Sequence, residues 1–187
     1  SGHMDNVFDV KFAPGMEKER MVSAARDGMI CFYNGWAVDE DCALGIPFSD
    51  DTLKSIEFFD NSPHVFGVCC EDGRVYEYDF RVGHRNIVLD LSPQQVNLYS
   101  MSTCPSKPEL LAVCGSDPFV RFYDRRKMSS QQNTAYCWTP LPTVHSSISF
   151  FTGVRFSRFS YDLAAYGVNR APCLINPIFQ CDEQMKF

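Results

Sequence analysis

Short apolar stretches that alternate with polar residues recur along the chain, and turn-forming residues separate them. Three segments share one pattern: small or apolar residues, then Asp with Gly or Pro, then an alternating strand that ends in Tyr and an acid or amide. They are SAARDGMICFYN (23–34), VCCEDGRVYEYD (68–79) and VCGSDPFVRFYD (113–124). Asp and Gly tolerate the positive φ of tight turns, so Asp-Gly between alternating runs favours a β-hairpin, and Asp-Pro predicts a turn of another type.

The turn aspartates define a repeat of constant length. Asp27, Asp72 and Asp117 are spaced 45 residues apart, and the acid or amide that ends each strand follows seven residues later. A weaker fourth copy places Asn169 in the turn and Asn176 at the strand end. A third apolar run precedes each hairpin, at 7–12, 53–59, 96–101 and 151–156, and looser runs that fit an outer strand lie at 42–48, 86–91 and 134–138.

Four short strands in each repeat, without a convincing helical period, are what a β-propeller blade requires. A single β-sandwich could also hold such strands, but it does not demand the constant interval between them. We therefore predict an all-β chain of about four propeller blades, at residues 2–48, 49–93, 94–140 and 145–187.

Composition narrows the classes of partner. The chain has 187 residues, of which 45% are hydrophobic and 14% aromatic, so a folded core can offset the entropy lost on folding. The net charge of −6 is opposite to the basic surface of a nucleic-acid-binding protein. The cationic run of Arg121, Arg125, Arg126 and Lys127 is therefore interpreted as a solvated edge rather than a phosphate patch. No apolar stretch reaches the about 18 residues of a membrane helix, so we expect neither nucleic acid nor a membrane as partner.

The cysteine, histidine and serine residues lack the spacing of a metal or catalytic site. The nine cysteines are odd in number and contain no C-x-x-C pair, and the four histidines are scattered. We expect reduced, buried cysteines in an intracellular protein, cytoplasmic or nuclear, with no disulfide, metal or cofactor. Ser-His neighbours such as His145-Ser146 lack a triad context. The chain is predicted not to be an enzyme, because no nucleophile, base and orienting group can be assembled.

The beginning of the chain resembles the Gly-His … Trp-Asp frame of the WD repeat. Gly2-His3 precedes the first blade, and Tyr33-Asn34 closes its third strand, with Tyr in place of Trp. The resemblance implies a buried hydrogen-bonded network that locks each blade. Its expected members are His3, Asp27, Asp72 and Asp117, with His3 bonded to Asp27. Before blade two, Ser49 or Asp50 stands where the histidine would be, and His145 fits that place in blade four.

A closer resemblance is carried by HMDNVFDVKFAP, HVFGVCCEDGRVYEYDFR and LLAVCGSDPFVRFYDRRKM. These segments are similar to the WD-repeat substrate receptors of the cullin-4 ubiquitin ligase, most of all to the group that combines WD and tetratricopeptide repeats. The resemblance covers residues 2–127 well and 148–177 weakly, and no tetratricopeptide helices are visible. Those receptors carry a Trp-Asp-x-Arg box, whose Arg docks on the ligase adaptor. Residues at the matching positions, with Tyr for Trp, are Tyr78, Asp79, Arg81, Tyr123, Asp124 and Arg126. Blade one, which ends in Asn34-Gly35-Trp36, lacks the Arg.

The resemblance implies a non-catalytic receptor that docks the adaptor through these boxes and recruits an unidentified protein for ubiquitination. The alternative is a WD-repeat scaffold for a transcription, chromatin or other assembly without ubiquitin chemistry. The receptors have seven blades, so we expect the four blades to be part of a larger propeller. We also expect Ser1–Met4 to be native sequence, because His3 to Phe8 fits the family register, although these four residues also fit a tag remnant.

Overall fold

Strands dominate the computed structural model, which describes residues 2–15, 20–34, 43–59, 62–128, 137–140, 150–168 and 171–177. Within these residues, fifteen strands form four antiparallel sheets, three with four strands and one with three. In every sheet the strands lie side by side in chain order, or in its reverse. This is the meander expected of a propeller blade, and it confirms the predicted all-β class.

The strands are numbered along the chain, and the sheets are called blades one to four. Blade one contains β1 (Val7–Phe12), β2 (Arg20–Ala25), β3 (Met29–Asn34) and β4 (Ala43–Pro47). Blade two contains β5 (Leu53–Phe58), β6 (Val65–Cys70), β7 (Arg74–Asp79) and β8 (His84–Asp90). Blade three contains β9 (Leu98–Cys104), β10 (Lys107–Gly115), β11 (Phe119–Asp124) and β12 (Cys137–Pro140). Blade four contains β13 (Phe151–Phe156), β14 (Leu163–Gly167) and β15 (Cys173–Ile175).

The sheets lie within the predicted blade limits, whose ends stay predictions. Several strands begin or end up to three residues from their predicted bounds, as the starts of two strands illustrate. β9 begins at Leu98 rather than at residue 96, because a 3₁₀ turn at Ser92–Gln94 ends in Gln95 with a left-handed φ of 58°. β12 starts at Cys137, three residues beyond the predicted start of that strand, and residues 134–136 lie outside the described residues. Asn169 and His145, the predicted turn and network residues of blade four, lie outside them too.

Both faces of blades two and three are buried, because each of these blades packs between two neighbours. The inner strands β1, β5, β9 and β13 contact one another in this order. Alternate side chains of β10 therefore enter two different cores: Leu111 and Val113 pack with blade two, whereas Ala112 and Cys114 pack with blade four. A strand's period of two residues produces this division.

Glu57 on β5 ties the inner strands of the four blades together. Its Oε2 accepts hydrogen bonds from Lys11 Nζ of β1 at 3.3 Å and from Arg155 Nη1 of β13 at 3.2 Å. Its Oε1 accepts one from the Thr103 hydroxyl of β9 at 3.1 Å. The side chains of Glu57 and Lys11 are only 15% and 18% exposed, so this ion pair is partly shielded from solvent.

Replacing Glu57 with alanine is expected to lower the free energy of unfolding by about 1–3 kcal/mol, because Lys11 and Thr103 lose their partner in a half-buried position. Chemical denaturation of the two proteins measures the difference. The control is Asp5→Ala, which removes a carboxylate whose side chain is 44% exposed and whose ion pair with Arg26 spans 3.8 Å. That pair should contribute less than about 1 kcal/mol. Equal losses in the two variants would contradict a linking role for Glu57.

The cysteines whose side chains the structure describes are Cys31, Cys69, Cys70, Cys104, Cys114 and Cys173, and all six have free thiols. Burial is the main cause that raises the pKa of Cys70 to about 12, and burial also raises the pKa of Cys69 and Cys114. These thiols stay protonated and poorly nucleophilic near neutral pH. Among the described residues, no three His, Cys, Asp or Glu side chains are grouped to hold a metal ion. In the same part of the chain, no helix is both long and apolar enough to span a membrane.

Candidate protein-docking site

The three turn aspartates occupy equivalent positions between the second and third strands of their blades. Each carboxylate accepts a hydrogen bond from the backbone N–H two residues later, at 3.0 Å for Asp27, 2.9 Å for Asp72 and 3.3 Å for Asp117. Gly28 and Gly73 follow with φ of +70° and +86°, a conformation that glycine adopts without strain. The turn chemistry predicted from Asp-Gly is thus present in the structure of blades one and two.

In blade one, the turn acid has the expected histidine partner. His3 Nδ1 lies 3.1 Å from both carboxylate oxygens of Asp27, and its Nε2 lies 2.7 Å from the Ser23 hydroxyl oxygen. With Nδ1 protonated and donating to Asp27, Nε2 accepts from the hydroxyl. The backbone N–H of Met4 adds a bond of 2.9 Å to the same carboxylate. The chain before β1 is therefore held on the turn of its own blade.

Blades two and three use other partners for the turn acid. Tyr76 donates its hydroxyl to Asp72, and Arg121 donates Nη1 to Asp117 at 3.0 Å with Nη2 on the second oxygen. Ser49, which was expected at the histidine's place in blade two, instead accepts from Cys70 Sγ and from a backbone N–H. Tyr76 and Arg121 both stand four residues after their aspartate, on the strand that leaves the turn. This spacing is a sequence signal that could have identified them.

Acidic pH should weaken the hydrogen bonds that the Asp27 carboxylate accepts in blade one. Burial raises the pKa of Asp27, but hydrogen bonds from Met4, Met29 and His3 outweigh burial and hold this pKa below its usual value of 3.8. The stabilisation is therefore present above about pH 4 and is lost as pH falls through the pKa of the folded state.

Asp27→Ala should lower stability by about 1–2 kcal/mol at pH 7, with a smaller difference at pH 2–3. Denaturation curves across this range measure it, with the exposed Asp50→Ala as control. A pH-independent difference would contradict the proposed role of the charge.

The two Asp-x-Arg boxes are Asp79-Phe80-Arg81 and Asp124-Arg125-Arg126, each at the end of a third strand. In both, the arginine side chain donates two hydrogen bonds to the carboxylate of its own aspartate, an arrangement that we call the fork. In the first box, Arg81 Nε and Nη2 lie 3.0 and 2.7 Å from the two Asp79 oxygens, and its backbone N–H donates at 2.9 Å. Arg126 makes the same three bonds to Asp124, at 2.9, 2.6 and 3.0 Å. The arginine side chains are nevertheless 63% and 67% exposed. The acid thus orients the guanidinium without removing it from the surface.

The forks do not depend on pH in the physiological range. The side-chain hydrogen bonds from Arg81 and Arg126 are the main cause that lowers the pKa of Asp79 and of Asp124 to about 2. Both carboxylates therefore remain ionised throughout the physiological pH range, and the hydrogen bonds between aspartate and arginine persist in both boxes.

The middle residue of each box anchors it to the preceding blade. Phe80 of blade two packs edge-on against Phe32 of blade one, with ring centroids 4.3 Å apart. Arg125 of blade three lies 3.7 Å above the ring of Phe59, and its Nη2 is 3.7 Å from Glu77, both in blade two. Two successive boxes are thus braced in the same way across successive blade junctions. Because both boxes follow the same end of a third strand, the two arginines lie on the same side of the blades.

Some of the predicted adaptor-binding residues are packed in the core, and others are exposed. Tyr78 and Tyr123 are only 7% and 1% exposed and belong to the cores between blades, so their side chains stabilise the fold rather than face a partner. The suspected cationic edge is also divided. Arg121 lies within β11 and binds Asp117 in the turn before that strand, and Arg125 is packed between blades. Of these four cations, only Arg126 and Lys127 are exposed.

A second candidate surface lies on the inner strands, where a cavity of about 570 Å³ is lined by residues of all four blades. Phe8, Lys54, Tyr99 and Thr152 come from β1, β5, β9 and β13 respectively. Lys54 Nζ lies 3.8 Å from the centre of the Phe8 ring and 3.0 Å from the Glu71 carboxylate. The cavity therefore combines aromatic walls with an ion pair, a lining that suits a peptide side chain.

Comparison with solved structures identifies the fold. The WD40 β-propeller domain of Doa1 superposes with a TM-score of 0.69 at 17% identity, covering 92% of this chain and 51% of that one. The chain is a run of WD-type β-propeller blades. No family model matches the chain. The Doa1 likeness, at this identity, concerns the fold alone.

Curated relatives are also WD-repeat proteins. WD repeat protein iqw1 of Schizosaccharomyces pombe is 31% identical over 67% of this chain and 17% of its own length. Human DDB1- and CUL4-associated factor 6 is 33% identical over 73% of this chain and 16% of its own length. Human WD and tetratricopeptide repeats protein 1 is 30% identical over 72% of this chain and 20% of its own length. These matches confirm the predicted resemblance, and the blades span less than a quarter of each relative.

Proposed function

We propose that these blades belong to a non-catalytic substrate-recognition subunit of a cullin-4 RING ubiquitin ligase. The two Asp-x-Arg boxes dock the ligase adaptor, and another surface recruits a target protein for ubiquitination. The observation that carries the proposal is the pair of identical forks, each with an exposed arginine whose geometry is set by its own acid. A curated relative is itself described as associated with DDB1 and CUL4, so we take DDB1 to be the adaptor.

The physical chemistry of the boxes suits a docking role. Arginine presents several donors in a rigid fork and is enriched among the residues that dominate binding energy at interfaces. Here the fork is pre-oriented by Asp79 and Asp124, and the box backbone is braced by Phe80 and Arg125. Little conformational freedom is lost when a partner binds, which favours affinity. Arginines held only for stability would not need this exposure.

The target protein binds elsewhere in the proposal. The cavity on the inner strands is lined from all four blades and lies away from the boxes, which follow the third strands. A target that binds there leaves Arg81 and Arg126 free for the adaptor. The ubiquitin transfer itself is carried out by the ligase, in the cytoplasm or the nucleus, and the blades supply no catalytic group.

The test is a binding measurement between the full-length protein and purified DDB1, with human DDB1- and CUL4-associated factor 6 as positive control. A stable complex that also retains cullin-4 supports the proposal. If the control binds and this protein does not, the receptor role is wrong. The alternative, a WD-repeat scaffold for a transcription, chromatin or other assembly, then leads, because it requires the blades but not the boxes.

A further inference from the structure

We propose that the box of blade three, unlike that of blade two, receives acidic side chains of the docking partner. The inference rests on the proposed function, in that the partner is the adaptor. It assigns a binding role to Lys107 and Lys127, two residues outside the box motif. The two boxes would then contribute differently to the same interface, although their forks are the same.

The observation behind the proposal is a cleft of about 220 Å³ beside the blade-three fork. Its lining residues are Lys107, Glu109, Leu110, Asp124, Arg126 and Lys127. β10 begins at Lys107, and Lys127 ends the 3₁₀ turn that follows β11, so both lysines are held by regular structure at the same end of the blade. The fork of Arg126 and Asp124 forms one wall between them.

In this cleft, the anionic Asp124 has hydrogen-bond partners, whereas the cationic side chains keep donors without one in the described part of the chain. Asp124 is engaged by Nε and Nη2 of Arg126, whereas Arg126 Nη1 is 3.8 Å from Glu109, beyond hydrogen-bond distance. Neither Lys107 nor Lys127 forms an ion pair with any of the described residues. Cations therefore outnumber anions around the cleft, and three cationic groups have donors left for a ligand. Carboxylates are the protein groups that complement such a surface.

Blade two offers a different surface at the same positions. Counting back one repeat of 45 residues, Ser62 stands for Lys107, His64 for Glu109 and Val82 for Lys127. Val82 is 73% exposed and lies directly after Arg81. The blade-two box thus combines its arginine with an exposed apolar side chain and no lysine. The lysine-lined box of blade three is therefore the better complement to an acidic patch on the partner.

The experiment measures association of the full-length protein with purified DDB1 after Lys107→Glu and Lys127→Glu, singly and together, at low and high salt. We expect the double variant to bind at least about tenfold more weakly at low salt, chiefly through slower association, with a smaller difference at high salt. Arg26→Glu is the matched control: it makes the same charge change at a side chain that is 61% exposed, beside the turn at the other end of its blade. This variant should bind almost as the wild type does.

The outcomes separate the inference from the proposed function. If the lysine variants bind normally while loss of Arg81 and Arg126 prevents binding, the role of the cleft in binding acidic side chains is wrong and the receptor role stands. If Arg26→Glu weakens binding equally, the effect is one of net charge and the inference fails. If the wild type does not bind DDB1, the proposed function itself fails. Thermal unfolding confirms that each variant is folded, and Lys107→Gln with Lys127→Gln replaces the charge reversals if these unfold the protein.

Discussion

Binding of the full-length protein to DDB1 falls at least about tenfold when Arg81 and Arg126 are both changed to alanine, since each is expected to act as an anchor of the interface. The blades themselves should stay folded. The carboxylates of Asp79 and Asp124 still accept the backbone N–H of residues 81 and 126, so the turns keep their caps. The lost side-chain pairs are largely exposed and contribute little to stability. Titration calorimetry measures the affinity, and circular dichroism the fold.

The controls distinguish a docking arginine from any surface arginine. Arg26→Ala removes an exposed arginine outside the boxes and should leave DDB1 binding nearly unchanged. Arg81→Lys with Arg126→Lys keeps both charges but cannot reproduce the two-pronged fork, so it should restore only part of the affinity. A folded double alanine variant that binds DDB1 as the wild type does would remove the main support for the receptor role.

Gly28→Ala should destabilise the chain by about 3 kcal/mol or more, since it combines backbone strain with a steric clash. Gly28 has a φ of +70°, and a Cβ added there would lie 1.9 Å from the carbonyl oxygen of Ser49. The clash has no easy relief. The Gly28 carbonyl accepts the N–H groups of Phe48 and Ser49, at 2.9 and 3.1 Å, so moving the 48–51 segment away breaks these bonds.

Gly15→Ala isolates the strain from the clash. Gly15 has a similar φ of +66°, but a Cβ added there has no atom within 4 Å. The left-handed conformation alone should cost about 1–2 kcal/mol. Urea denaturation of the two variants measures the difference between them. If Gly28→Ala and Gly15→Ala lose the same stability, the close approach of Ser49 to the turn is not important for folding.

The sequence by itself determined the repeat and its local chemistry. The interval of 45 residues between the turn aspartates, the Asp-Gly turns and the alternation of apolar residues were sufficient to predict the strands and the all-β class. The positions of both boxes followed from the resemblance to the WD-repeat receptors. The partnership of His3 with Asp27 followed from the resemblance to the WD repeat. These features depend on residues close in sequence, or on a family pattern, and so they can be recognised without coordinates.

Contacts between blades were decided only by the tertiary structure. Alternation shows that a strand has two faces, but in a propeller both faces are buried, and the partner of each side chain lies in another repeat. Phe80 and Arg125 illustrate this: one is aromatic and one is cationic, yet both brace a box against the preceding blade. Tyr78 was expected to face a partner but packs in the core for the same reason. Glu57 binds residues of three other blades, because the blade arrangement brings four inner strands together.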